Sequence, residues 1–320
     1  MALAVLELRQ IALTRFAAGA LFAAVLGGAW DIWWHEAVGR ESFFTPPHLA
    51  IQAGVLAAIA AAACGWHRTG RRAWRSLTLV LLLAPLSAPF DDLWHRFFGV
   101  ENLTSPLAVW SPPHLMLIAA IGGGLLLLLP LLRASHSVSS QQVFGALAFA
   151  GILWLATLLA APVHARGPYE LLGFWGSGIG AGMFVGILLV AQRWLPGIAE
   201  ATLVTVLFLA PFLIVTGAHR VAPDVLIQPH AHPPTWLTVF AYFVPAVWVD
   251  LIRRPPLWLR GALGGLLLSG ILYGFSSFFL EPALQYRLTD ALVAIMASVA
   301  GGAIGGALVA RWVRPRLAER

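Results

Sequence analysis

Uninterrupted apolar runs of about 18 residues or more recur along the whole chain, and no other feature restricts its folding so strongly. The first runs from Phe16 to Trp34 and is broken only by Asp31. These runs are rich in Leu, Ala, Val, Ile and Gly and lack the two-residue alternation of a barrel strand, so they predict membrane-spanning helices. A hydrophobic fraction of 59% with only 11% charged residues over 320 positions removes the alternative of a soluble fold. The expected class is an all-α, polytopic integral membrane protein. The first run has no A-x-A cleavage site and is read as a retained helix rather than a signal peptide.

Ten spans can be drawn, at roughly 14–35, 47–66, 75–96, 112–133, 142–163, 172–193, 200–218, 234–252, 260–280 and 288–311. All 20 basic residues are Arg, and their placement predicts the orientation, because positive residues are retained on the cytoplasmic side. With both termini inside, fifteen Arg are cytoplasmic and only Arg40, Arg96, Arg166, Arg220 and Arg287 are outside. That bias also accounts for the net charge of +6 without a nucleic-acid partner. The orientation sends eight of the ten His to the outer side, leaving His67 and His136 inside. The expected location is a bacterial-type inner membrane, with the chemical face toward the periplasm or exterior.

A weak internal repeat occupies that face. "DIWWHEAVGRESFFTPPH" (31–48) and "DDLWHRFFGVENLTSPLAVWSPPH" (91–114) each read as a helix ending in Asp-x3-His, a loop with Gly and Glu, then Pro-Pro-His opening the next helix. Asp31 and His35, four apart, share one helix face, as do Asp91 and His95. Thr45 before Pro46 and Pro47 suits a helix N-cap and directs His48 back toward the loop side. His114 follows Pro112 and Pro113 in the same way. Two imidazoles and a carboxylate suit copper, zinc or iron(II), and such a triad leaves coordination positions open. Cys64 is the one cysteine, so no disulfide or multi-Cys zinc site is possible. A lone Asp–His pair beside interfacial Trp residues is often only a snorkelling or capping group. Duplication of the whole constellation favours function, since ionisable groups at membrane depth are costly.

The first segment resembles the metal-binding segment of an integral-membrane subunit of the copper-dependent membrane monooxygenases, the particulate methane and ammonia monooxygenases. That family's pattern is Asp, three residues, His, twelve residues, His, and Asp31, His35 and His48 match it. Glu41, Ser42, Phe44, Thr45 and Pro46 match the stretch between. Asp91, His95, Glu101, Leu103, Pro106 and His114 follow the order of the family's next helix, with Asp91 where the family has Asn. The resemblance covers about residues 25–125 and implies one copper on Asp31, His35 and His48, with a neighbouring ion on Asp91, His95 and a shared His48. The loop before His114 is longer than the family's, and the last six spans have no counterpart. The chain also has no soluble copper-binding domain, which the family carries on a different polypeptide of its complex.

The implied architecture is a four-helix metal-binding region over 1–135 and a six-helix region of unassigned role over 136–320. The metal set is Asp31, His35, His48, Asp91, His95 and His114, with Glu36, Glu41 and Glu101 orienting imidazoles from behind. His219, His230 and His232 form an accessory set, read either as a metal entry station or as solvated loop residues. The leading function is oxygen-dependent oxidation of a small apolar molecule, with copper as cofactor. The alternative is non-enzymatic copper capture, storage or delivery, and a third reading is a structural component of a complex with vestigial sites. The lipid bilayer is the expected partner, with further copies of the chain or other membrane subunits alongside.

Several motifs are set aside. "HEAVG" lacks the second His of a zinc protease, and "GSGIGAG" (176–182) lies inside an apolar span, where Gly178 and Gly182 predict close helix packing. Gly301 and Gly305 read the same way. Asp250 with Arg253, and Arg287 with Asp290, are expected to pair locally as border charges.

Overall fold

The computed structural model describes residues 2–37, 44–99, 107–134, 138–160, 170–221, 235–275 and 288–313. In chain order these form α1 (Ala2–Ala37), α2 (Pro46–Thr69), α3 (Arg72–Leu81), α4 (Leu83–Phe98), α5 (Leu107–Trp110), α6 (Pro112–Arg133), α7 (Val138–Ala160), α8 (Glu170–Trp194) and α9 (Glu200–Val221). They continue with α10 (Thr235–Leu251), α11 (Leu257–Ser269), a π-helical turn (Gly270–Phe275) and α12 (Leu288–Val313). No strand occurs among the described residues. Eight helical stretches are long and apolar enough to cross a membrane, which makes this an all-helical, multi-pass membrane protein. They fall at the first six and last two expected spans. At the seventh and eighth, the apolar stretches Glu200–Leu213 and Val239–Leu251 are shorter.

The third expected span falls on Arg72–Phe98, one membrane-length stretch with a turn at Leu82 that divides it into α3 and α4. Pro85 has no N–H to offer the carbonyl of Leu81, so the ladder breaks at Leu82 and restarts as α4.

The chain forms two compact units. Unit 1 comprises α1 to α6, α7 as far as Leu155, and α9 from Ala210. It therefore extends beyond the expected boundary near 135, because α7 packs into the same core. A Cβ at Gly151 would stand 2.8 Å from Leu125 and 3.6 Å from Val25, and one at Gly122 would stand 3.5 Å from Leu155. The seam between α1 and α2 sets the geometry that follows. Leu21, Ala24 and Val25 on α1 and Ile51, Val55 and Ala58 on α2 are buried at the helical repeat. Gly54 approaches so closely that a Cβ would lie 2.6 Å from the carbonyl oxygen of Ala20. At the other end, Gly70 adopts φ 62°, a left-handed cap that turns α2 back into α3 and lays the buried Trp74 ring over Gly65.

Unit 2 holds the remainder of α7 and α9 with α8, α10, α11, the π-helical turn and α12. Here α12 lies in backbone contact with both α8 and α11. A Cβ at Gly182 would be 2.7 Å from the carbonyl oxygen of Gly301, and one at Gly178 would be 2.8 Å from that of Ala297. Gly305 faces Gly182, and Gly302 faces Gly261. The close packing expected of these glycines is therefore present.

Candidate metal centre

Asp31 and His35 occupy the last turns of α1, where a spacing of four aligns them on one face. His48 arrives from α2, whose start follows the expected chemistry. Thr45 is extended (φ −75°, ψ 153°), its hydroxyl accepts the His48 N–H at 3.4 Å, and Pro46 and Pro47 open the helix. The α1–α2 seam then carries the two helix ends together. Nε2 of His48 stands 3.2 Å from Oδ1 of Asp31, and Nε2 of His35 stands 3.6 Å from Oδ2. The two imidazole rings are 5.9 Å apart, centroid to centroid, inclined by 57°. One donor atom from each residue lies within 4.8 Å of the others, and among the described residues this is the group of three that meets that distance.

The electrostatics favour a cation. The side chains of all three residues keep 16–20% of their surface exposed, so the cluster is recessed but reachable. Oδ1 of Asp31 is buried and stands 3.2 Å from the His48 ring nitrogen. A buried carboxylate oxygen is costly unless a donor or a cation faces it, and a proton held by the imidazole or a metal ion would each meet that need. The same lone pairs can share protons with the imidazoles or serve an ion, so loading and deprotonation are coupled.

The second corner repeats the topology with different geometry. On α4, Nδ1 of His95 is 3.4 Å from Oδ2 of Asp91, and from α6 Nε2 of His114 is 3.3 Å from Oδ1. The rings lie 6.3 Å apart, and His114 is the more open, at 32% side-chain exposure against 8% for His95. Asp91 thus links the His of its own helix to the His of its own Pro-Pro-His. Ser111 holds the position that Thr45 holds in the first corner, but it makes no capping bond and its hydroxyl is buried without a partner. The neighbouring Asp92 is not part of this cluster. It pairs with Arg96 at 2.7 Å on the exposed face of α4. On the same helix Trp94 packs on Phe98 at 4.2 Å and meets Phe90 edge-on at 6.5 Å.

Of the remaining expected site residues, Glu41, Glu101, His230 and His232 lie outside the described residues. Glu36 and His219 fall on α1 and α9, and their side chains lie outside the described set. Arg287 also lies outside it.

Sequence reasoning missed a further ionic cluster, in unit 2. The Asp250 carboxylate accepts the backbone N–H groups of Ala201 and Thr202, at 3.1 and 2.8 Å, and the Thr202 hydroxyl at 2.7 Å. It caps the start of α9 from another helix. The local pairing expected between Asp250 and Arg253 takes a different form. Arg253 donates to the Asp250 backbone carbonyl at 3.1 Å, and its guanidinium pairs with the buried Glu200 at 3.0 Å. Arg260, 2% exposed, donates to Gln192 and to the carbonyl of Val249, each at 2.6 Å. Only Asp250 and Arg253 stood out in the sequence, because Ala201, Glu200 and Gln192 lie 49 to 68 residues from their partners and follow no periodic pattern.

Comparison with protein-family models, curated proteins and solved structures gives no match to this chain.

Proposed function

We propose that the protein is a membrane metalloprotein that holds a transition-metal ion on Asp31, His35 and His48. The observation that carries this reading is the mutual approach of the three donors. Two ligands each about 2.0–2.1 Å from a tetrahedral ion lie about 3.3 Å apart. Nε2 of His48 lies 3.2 Å from one Asp31 oxygen and Nε2 of His35 lies 3.6 Å from the other, and one donor atom from each residue falls within 4.8 Å of the others, so the set comes near that spacing. Three protein donors leave a position for an exogenous ligand, the arrangement of catalytic rather than purely structural sites.

Within this reading copper is the ion, both termini are cytoplasmic, ten helices span the bilayer, and the site faces the periplasm or exterior. The reaction is oxygen-dependent oxidation of a small apolar molecule. The Arg asymmetry supports the orientation, and the Asp-x3-His-x12-His resemblance supports the metal and the chemistry. When bound, copper would supply the redox chemistry. The protein's own part is to supply donors from two helices and keep the site recessed. A second reading, capture and delivery of copper without catalysis, is favoured by the presence of another carboxylate–imidazole cluster at Asp91, whose His114 is accessible enough to pass an ion on.

Metal analysis of the detergent-purified full chain tests the proposal. It should find about one or two transition-metal ions per chain, and Asp31→Ala or His48→Ala should lose them. A metal-free preparation that cannot be reloaded with copper, zinc or iron(II) would overturn both readings. Oxygen uptake by the loaded, reduced protein with small hydrocarbons or ammonia then separates them, since a delivery protein gives no turnover.

A further inference from the structure

Unit 2 contains a partly open cavity of about 70 Å³, bounded by α7, α8, α10, α11, the π-helical turn and α12. Six of its twelve lining residues carry a hydroxyl and none carries a charge, so its chemistry suits a neutral, hydrogen-bonding occupant rather than an ion. Most of these hydroxyls are committed. Ser269 donates to the carbonyl of Gly265 at 2.8 Å, and Ser298 donates to that of Ser177 at 3.2 Å. The hydroxyls of Ser177 and Tyr273 bond each other at 3.0 Å. Tyr242 differs. Its ring is held edge-on between Phe184 and Phe208, at 5.1 and 5.2 Å, which fixes the direction of its hydroxyl, and no described residue pairs with that hydroxyl. Tyr273 is delivered by the π-helical turn, a widened winding that recurs where a helix is adapted to a function.

We propose that this cavity binds a short-chain alcohol, with the Tyr242 hydroxyl as its hydrogen-bond partner and the Phe184 and Leu272 side chains against its alkyl part. The volume is about half of the ~150 Å³ that accommodates benzene, which sets an upper size limit. The inference stands on unit 2 alone and does not depend on the metal reading.

Saturation-transfer NMR on the full chain in detergent, referenced to empty micelles, provides the test. Across methanol, ethanol, 1-propanol, 1-butanol and 1-hexanol, binding should rise and then collapse by 1-hexanol, whereas partition into the micelle rises throughout. Tyr242→Phe keeps the packed ring and should weaken 1-propanol about fivefold, the loss of one neutral hydrogen bond. Acetate should give no signal. A monotonic rise with chain length, an unchanged affinity in a folded Tyr242→Phe variant, or no signal above empty micelles would each overturn the proposal, the last leaving the cavity to water alone.

Discussion

Asp31 in unit 1 and Asp250 in unit 2 are both carboxylates close to the ends of apolar helices, yet their surroundings are opposite. Asp250 is saturated by two backbone N–H groups and a hydroxyl, donors that cannot leave and cannot be exchanged for an ion. Asp31 is flanked by two imidazoles at 3.2 and 3.6 Å. Imidazole is the one neighbour that trades a proton for a metal near neutral pH. Charge and a place near a helix end are thus shared by the two sites, and the kind of donor separates a fastening from a receptor.

The comparison can be broken most directly at Asp31. Asp31→Ala should weaken metal binding at least ~100-fold, more than typically follows loss of an outer-shell partner, while helix content measured by circular dichroism is unchanged. Asp250→Ala should do the reverse. It removes the cap of α9 and costs about 2–3 kcal/mol, visible as a lower Tm, with the metal content intact. If Asp250→Ala lost the metal, or Asp31→Ala melted the fold, the division between the two carboxylates would fail.

Smaller effects sharpen it. His114→Ala should abolish any second metal equivalent while leaving the first, because Asp31, His35 and His48 form their own cluster. Stoichiometry by elemental analysis reads this directly. Arg96→Ala should change Tm least, because the Asp92–Arg96 pair is 50% and 74% exposed and such pairs contribute about 0–1 kcal/mol. A large loss of stability there would mean that Asp92 has a role its geometry does not display.

The first corner was legible because every step in it is local. The Asp-x3-His spacing, the Thr45 cap and the Pro-Pro start are all short-range signals, and α1 and α2 are consecutive helices. The second corner reads the same in sequence, yet Ser111 does not cap and Asp92 turns outward, since side-chain direction there is decided by packing. The break at Leu82 was missed because the apolar run continues through it, although Pro85 carried the signal. The unit 2 cluster was illegible for a different reason. Arg260 and Gln192 are 68 residues apart, and nothing in either segment anticipates the other.

The glycine seam of α8 and α12 has a mechanical corollary. Where the carbonyl of one helix rests on the Cα of the next, no flexible side chain is left to absorb sliding, so the two helices must tilt or shift as one beam. Any working motion within unit 2 is therefore confined to parts lacking such an interlock, and replacing Gly301 with even a methyl-bearing residue would wedge the beam apart at its middle.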